Sequence, residues 1–222
     1  MDISKREREQ QERENMIIDK AIDLFCEYGF DSITMERIAQ ESDFTKRTVY
    51  RYFSSKEDLF FATALRGHQI LYDILREAIK KGTTGFDKVR HSFYAYSTFI
   101  SEHPRLARLV NQNRYSKSEN TDQPTTYYQK FNELDRLLFE ELRQVFVLGQ
   151  EDQSIRNDLS INQLAHSTIY TAVGLFQLLS FTGETYTKHF GYDKEAFVQF
   201  SIDRILETVQ MNALDHKLTP TF

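Results

Sequence analysis

The stretch DFTKRTVYRYFSSKEDLF, residues 43–60, decides how the N-terminal part of this chain folds. Its four cations follow one another with no acidic residue between them: Lys46, Arg47, Arg51 and Lys56. The whole chain is acidic, with a net charge of −5, and residues 1–66 contain 14 acidic and 11 basic residues. Positive charge is therefore concentrated locally, on a segment that also carries threonine and tyrosine hydroxyls.

The apolar residues of this stretch recur at helical spacing. At about 100° per residue, Val49 and Phe53 share one face of a helix, whereas Arg47 and Arg51 project almost oppositely. The preceding segment, residues 34–42, has the pattern of another short helix, and only a brief turn separates the two. Two short helices joined this tightly are typical of a helix-turn-helix motif.

The rest of the chain also has helical periodicity, and its 222 residues include only eight glycines and three prolines. Few breakers and apolar residues three and four apart favour long helices over a β-rich fold. The sequence thus predicts an all-α protein. A helix-turn-helix domain of three helices (1–55, with a disordered start over about 1–12) is joined by a long helix to a larger helical domain, 56–222. Further helices are predicted near 56–82, 85–102, 104–115, 126–149, 160–182 and 193–214.

The segment GFDSITMERIAQESDFTKRTVYRYFSSKEDL, residues 29–59, resembles the DNA-binding region of the TetR family of bacterial transcription regulators. The matching positions span three helices: Gly29-Phe30, Ile38-Ala39, Tyr50, Phe53 and Ser55-Lys56-Glu57. The chain departs from the family pattern at the turn glycine, which is Asp43, at a position that is small in many members, Arg47, and at a common histidine, Tyr52. These departures leave the fold intact and bear on which bases are read.

The resemblance implies two kinds of contact with double-stranded operator DNA. The residues implied to contact backbone phosphates are Thr34, Thr45, Tyr50, Tyr52 and Lys56, and those implied to contact base edges are Lys46, Arg47 and Thr48. Arg51 joins them on the basic face of the helix.

Dimerisation is expected because residues 169–181, IYTAVGLFQLLSF, are apolar on nearly every face. One buried stripe cannot account for such a helix, so it needs a second apolar neighbour. The resemblance implies a homodimer formed by the last two long helices of each subunit, and hence a near-palindromic operator. The residues expected at the interface are Ile169, Val173, Gly174, Phe176, Ile202, Ile205 and Leu206.

The aromatic residues of the larger domain allow two interpretations. Most of them are expected to pack in the core, but in this family a cavity among the central helices holds an effector, and buried tyrosine hydroxyls favour a ligand that can bond them. The resemblance therefore implies a small apolar or amphipathic effector. The candidate pocket residues are Tyr72, Phe93, Tyr96, Phe99, Tyr115, Tyr128, Phe131 and Tyr170.

Other functional classes find little support in the sequence. One cysteine and six histidines without ligand spacing predict no metal site, no nucleophile motif suggests an enzyme, and no cofactor motif is present. No run of about 18 apolar residues predicts a membrane span, so a cytoplasmic location is expected. The sequence thus indicates a homodimeric repressor released from DNA by its effector. The alternative is a DNA-binding protein without an effector that bends DNA or recruits other proteins.

Overall fold

A computed structural model describes residues 4–113, 125–182 and 185–211 of the chain. These residues form ten helices and, apart from one isolated bridge between Ile155 and Gln210, no β-structure. The predicted all-α class is confirmed. The helices are α1 (Lys5–Tyr28), α2 (Met35–Glu41), α3 (Lys46–Tyr52), α4 (Lys56–Lys81), α5 (Gly85–Glu102), α6 (Pro104–Asn113), α7 (Thr126–Glu151), α8 (Ile161–Thr182), α9 (Thr185–His189) and α10 (Lys194–Glu207).

The first helix begins earlier than the sequence predicts. A disordered start was expected over about residues 1–12, but α1 already begins at Lys5. The Ser4 hydroxyl accepts a hydrogen bond from the Glu7 amide at 3.3 Å, and the Glu7 carboxylate accepts one from the Ser4 amide at 2.9 Å. This capping box satisfies N–H groups of the first turn, which helps a polar segment to be helical without an apolar stripe.

The last long helix ends earlier than the sequence predicts. It was expected to reach about residue 214, but α10 ends at Glu207. The backbone that follows bonds to another segment, because the Arg156 amide donates to the Val209 carbonyl at 2.9 Å and the Met211 amide donates to the Ser154 carbonyl at 3.2 Å. Residues 212–214 lie outside the described part of the chain.

By compactness the chain divides into two units. The first comprises Met1–Ile70 and Arg105–Asp135, and the second comprises Leu71–Pro104 and Arg136–Phe222. Both α4 and α7 contribute residues to each unit. The compact boundary in α4 therefore follows residue 70, fifteen residues beyond the predicted end of the DNA-binding domain at residue 55. The assignment of DNA binding to residues 1–55 stays a prediction.

The core of the first unit holds the three N-terminal helices together. Ile17 of α1, Ile38 of α2 and Val49 of α3 are completely buried, and so is Phe53 at the end of α3. Phe44 is half-buried against the same cluster. The apolar face predicted for the third helix is thus the face that packs, so its opposite face is left to solvent.

The turn between α2 and α3 is a Schellman motif with an unusual residue. The Phe44 amide donates to the Ala39 carbonyl at 2.9 Å and the Asp43 amide donates to the Gln40 carbonyl at 3.3 Å. This arrangement requires a left-handed residue after the C-cap, usually glycine, and Asp43 adopts it with φ of 59°. Thr45 then caps α3 through its hydroxyl. The turn fixes where α3 starts and therefore which of its residues face outward.

In the second unit α5, α8 and α10 pack together. Each helix contributes a completely buried side chain: Phe99 from α5, Phe176 from α8 and Ile202 from α10. A Cβ atom at Gly85 would lie 2.2 Å from the Cα of Gly149, so the start of α5 and the end of α7 touch through their backbones. Close approach therefore explains Gly149, which lies inside α7 although the sequence predicts a helix end there.

Helix α8 is, within the described residues, the one helix long and apolar enough to cross a membrane. The sequence predicted no such segment. A core helix of a water-soluble protein meets the same criterion, and α8 packs against α5 and α10 along its buried face.

Replacing Asp43 by glycine should stabilise the protein. A left-handed residue other than glycine carries a steric cost of about 1–2 kcal/mol, which aspartate partly offsets, so Asp43→Gly should raise the free energy of unfolding by up to about 1 kcal/mol. Glu41→Gly is the matched control, because a glycine at the end of α2 should lower the free energy of unfolding by about 0.5–1 kcal/mol. Urea denaturation measures both, and a loss of stability in Asp43→Gly would contradict the role assigned to this turn.

Candidate nucleic-acid interface

The outward face of α3 is formed by four residues. Lys46, Arg47, Tyr50 and Arg51 are all exposed, with 45% of Tyr50 accessible to solvent. Arg47 and Arg51 lie nearly opposite Val49, which is buried. Since the buried and exposed sides follow the 3.6-residue period, packing alone aims this basic face away from the core.

Two threonines among the predicted phosphate contacts cap helices. Thr34 accepts a hydrogen bond from the Arg37 amide at 3.2 Å, and Thr45 accepts one from the Thr48 amide at 3.2 Å. The hydroxyls of Thr45 and Thr48 are also bonded to each other, at 2.9 Å. Thr34 and Thr45 are exposed, whereas Thr48 is half-buried. One hydroxyl of the Thr45–Thr48 pair donates to the other, so one hydrogen of the pair stays available as a donor.

The cations of this surface differ in how far the protein already engages them. Lys46 forms an ion pair with Glu36, and this contact lowers the pKa of Glu36 and raises the pKa of Lys46. Lys56 donates to the Phe30 carbonyl at 3.0 Å and lies 4.2 Å from the centre of the Phe30 ring. Within the described residues Arg47 forms no hydrogen bond or ion pair. Arg47 is therefore the cation most available to another molecule.

Arg51 and Tyr52 form a pair at the end of α3. The Arg51 guanidinium donates to the Tyr52 hydroxyl at 3.3 Å and lies 5.1 Å from the centre of its ring. Tyr52 is half-buried against the core, which gives the pair a fixed base. The stacking orients the guanidinium without neutralising its charge.

The sequence patterns did not reveal a second basic element beside this face. The helical extension of α1 and the end of α3 line a groove of about 340 Å³. The segment has no apolar periodicity, so the spacing of Ser4 and Glu7 was the signal that could have revealed the helix. The groove is lined by Arg6, Glu9, Gln10, Arg13, Arg51 and Tyr52.

The predicted effector residues are divided between the two units. In the second unit Phe93, Tyr96 and Phe99 are buried, and Tyr96 packs edge-on against Phe176 with ring centres 4.6 Å apart. Tyr72 donates its hydroxyl to Glu141 at 2.7 Å, and desolvation together with this bond raises the pKa of Tyr72.

The remaining predicted pocket residues do not join that aromatic group. Tyr128 and Phe131 belong to the first unit, where both pack against Phe61. Tyr170 is 66% exposed, which does not suit the wall of an enclosed pocket in the protomer. Tyr115 lies outside the described residues.

A different cavity lies in the second unit, between α5, α8 and α10. Its volume is about 340 Å³, and it contains none of the predicted pocket residues. Beside it, desolvation and a hydrogen bond to Asp203 raise the pKa of Tyr94 to about 12. The lining combines apolar groups with hydroxyls and charges: Tyr94, Ser97, Thr98, Ile100, Ser101, Leu179, Lys194, Glu195, Val198 and Gln199.

Most residues predicted at the dimer interface are buried within the protomer. Four of them have 6% of their surface exposed or less, because they pack between α5, α8 and α10: Ile169, Phe176, Ile202 and Leu206. Val173 and Ile205 are half-buried. Only Gly174 is exposed, and a Cβ there would meet nothing within 4 Å. The buried four therefore cannot form the contact surface itself.

The outward apolar side of α8 is instead a stripe of residues four and three apart. We call Tyr170, Gly174, Leu178 and Phe181 the α8 stripe. Its three side chains are exposed by 66%, 50% and 47%. On α10, Phe200 is exposed by 61%. Apolar side chains repeated along one helix face are typical of a surface that another molecule covers.

Comparison with known proteins shows which family the N-terminal part of the chain matches. Residues 17–63 match the family described as bacterial regulatory proteins, tetR family. The chain is 28% identical over 104 residues to the HTH-type transcriptional activator FasR of Mycolicibacterium smegmatis, a match covering 47% of this chain and 48% of that protein. It is 28% identical over 100 residues to the nucleoid occlusion factor SlmA of Actinobacillus pleuropneumoniae, covering 45% and 50%. The chain thus spans about half the length of these curated relatives.

Solved structures extend the similarity to nearly the whole fold. A bacterial regulatory protein in the tetR family from Rhodococcus RHA1 aligns with a TM-score of 0.69 at 19% identity, covering 90% of this chain and 98% of that one. The transcriptional regulator FadR from Bacillus subtilis, solved in complex with stearoyl-CoA, aligns with a TM-score of 0.68 at 18% identity, covering 86% and 96%. At these identities the likeness concerns the fold.

Proposed function

Because the chain belongs to the TetR family of bacterial regulatory proteins, we propose that it is a cytoplasmic regulator that binds operator DNA as a homodimer. The observation that carries the proposal is the outward face of α3. Its position is fixed by the turn at Asp43, and it presents Arg47 without a partner among the described residues. A helix of this kind fits the major groove, where arginine can bond the O6 and N7 atoms of guanine together.

The roles of the surrounding residues follow from how they are held. Thr34, Thr45 and Lys56 lie at helix starts, where a hydroxyl or ammonium together with backbone N–H groups suits a phosphate. Lys46 has to leave or share Glu36 in order to reach a base, so we assign it a smaller part in base recognition than Arg47.

Replacing Arg47 tests the assignment of base recognition. Arg47→Ala should weaken binding to the operator by about 1–3 kcal/mol and relax the preference at the base pair that it reads. Its effect on random-sequence DNA should be much smaller. Fluorescence anisotropy with both duplexes measures the difference, after footprinting upstream of the gene has located the operator.

Lys56→Ala is the matched comparison, since a phosphate contact is independent of sequence. It should weaken binding to both duplexes alike and reduce the salt dependence. An equal loss on both duplexes in Arg47→Ala would exclude base reading by that residue.

We assign the subunit contact to the α8 stripe together with Phe200 of α10. These side chains are about half exposed or more in the protomer, whereas the buried residues behind them hold the two helices in place. The open space beside Gly174 allows a second helix to approach closely. A two-fold dimer repeats the same surface on both subunits, so it would carry two copies of α3 and favour a near-palindromic operator.

A charge within the α8 stripe tests this contact. Leu178→Asp should weaken dimerisation by more than about tenfold, or ~1.4 kcal/mol, because it would bury an unpaired carboxylate. Leu148→Asp is the matched control, since Leu148 is exposed to a similar extent, 46% against 50%, on α7. Sedimentation equilibrium should find the control dimeric, and equal behaviour of the two variants would contradict the assignment.

We further propose that a small amphipathic ligand regulates DNA binding from the cavity of the second unit. A volume of about 340 Å³ lies at the lower end of the range for ligand pockets. Ile100, Leu179 and Val198 offer an apolar wall, and Ser97 and Lys194 offer polar partners. The FadR structure holds stearoyl-CoA, an amphipathic molecule, on the same fold.

The direction of regulation is proposed to be release from DNA, which makes the protein a repressor. A ligand changes DNA binding only if it binds the two conformations of the dimer unequally. Helix α4 begins directly after α3 and contributes to both units, so its displacement is the proposed link.

Filling the cavity tests this regulation. A fatty acid of medium chain length should raise the Tm of the wild type by several degrees, since a ligand at about 100 times its Kd stabilises by about 2.7 kcal/mol. It should also release bound operator. Ser97→Phe should abolish both effects, whereas Ser97→Ala, which leaves the space open, should keep them. Tighter operator binding with ligand would contradict release.

A regulator without an effector is the second candidate, favoured by the similarity to a nucleoid occlusion factor. It predicts that neither fatty acids nor acyl-CoA change Tm or DNA binding, and that Ser97→Phe binds DNA as the wild type does.

A further inference from the structure

The groove between α1 and α3 has the chemistry of an anion site. Three arginines and one glutamate line it, so its charge is positive although the chain as a whole is acidic. Within the described residues, Arg6, Arg13 and Arg51 form no ion pair. Guanidinium groups held near one another repel, and an anion placed among them removes that repulsion.

The helix phase shows that the groove uses one side of α1. At about 100° per residue, Arg6, Gln10 and Arg13 point to nearly the same side, and Arg8 points almost oppositely. Glu9 is four residues before Arg13, an arrangement that favours an ion pair on a helix, yet among the described residues no such pair is formed. The Arg13 charge is therefore left uncompensated beside α3.

The groove continues the basic face of α3. Arg47 and Arg51 are one turn apart on that face, and Arg51 also lines the groove. A helix about 10–12 Å wide fills a major groove about 12 Å wide, so the groups beside such a helix face the phosphates at its edges. The residues matched to the family begin at 17, which leaves Arg6 and Arg13 outside that match.

We propose that Arg6, Arg13 and Arg51 bind phosphate groups of the DNA backbone next to the base pairs that α3 contacts. Arginine suits this role because its planar guanidinium can bond two phosphate oxygens at once. Tyr52 supports Arg51 from the protein side through the stacking already described. The inference rests on the proposed DNA binding and extends its footprint to a part of α1 that the family match does not include.

Arg6→Ala and Arg8→Ala, made in the full-length protein, form the decisive comparison. Each removes one cation from the same exposed segment, and alanine preserves the helix, which circular dichroism checks. The probe is a fluorescent random-sequence duplex, titrated between about 50 and 200 mM salt. Arg6→Ala should bind several-fold more weakly at low salt and lose about 0.9 from the salt slope for each phosphate contact removed. Arg8→Ala should keep the wild-type slope.

The acidic residue of the groove provides an independent test with the opposite sign. Glu9→Gln should tighten binding to the same duplex several-fold at low salt, because it removes the negative charge nearest to the phosphates. Glu12→Gln, which changes an acidic residue outside the groove lining, should change binding less than Glu9→Gln does. Equal effects of the two glutamine variants, or equal slopes for Arg6→Ala and Arg8→Ala, overturn the inference.

Two further outcomes distinguish the DNA backbone from a free anion as the occupant of the groove. If the wild type binds no duplex at any salt concentration, the proposed DNA binding itself fails. The groove could also take a free phosphorylated molecule, for which pyrophosphate at constant ionic strength is the probe. Pyrophosphate binding that Arg6→Ala abolishes, with an unchanged DNA salt slope, overturns the assignment to the DNA backbone.

Discussion

A single buried carboxylate fixes the region on which the candidate interface depends. Asp58 is 2% exposed and accepts hydrogen bonds from the Ser54 amide at 3.1 Å, the Ser54 hydroxyl at 3.0 Å and the Tyr127 amide at 3.0 Å. Its own amide donates to the Ser55 hydroxyl at 3.0 Å. One side chain thus ties together the end of α3, the first turn of α4 and the start of α7. A buried charge that lost one of these donors would be left partly unpaired, so the arrangement is held strongly.

This junction limits how a signal from the second unit can affect DNA binding. Helices α4 and α7 each contribute residues to both units, and Asp58 joins the N-terminal ends of these two helices. A ligand in the second unit acts on α3 only if these helices have two arrangements that it binds unequally. We expect the three hydrogen bonds to Asp58 to survive in both arrangements, because a buried carboxylate that lost its donors would be left unpaired.

The sequence predicted the structure correctly where helix periodicity and packing of the core lead to the same arrangement. Val49 and Phe53 were predicted to face inward, and both are completely buried. Their helical spacing puts them on one side of the helix, so only one rotation of α3 about its axis buries both. The start of α1 was missed because Ser4 and Glu7 stabilise a helix without any apolar pattern. The predicted interface residues Phe176 and Ile202 proved to be core because periodicity cannot tell which neighbour covers an apolar face. The division of Phe131 and Tyr96 between two units depends on tertiary contacts that no spacing encodes.

The distribution of ion pairs, more than the number of cations, determines what the basic surface can do. Lys46 is compensated by Glu36, and Lys56 is held by the Phe30 carbonyl, whereas Arg47 has no partner among the described residues. A net charge of −5 weakens the general attraction to DNA, which otherwise supplies most non-specific binding. Contacts with DNA must then be made by cations that the protein already orients and that no acidic residue compensates. With the DNA contacts proposed above, such a surface would favour a duplex whose bases and phosphates coincide with its uncompensated arginines over a random one.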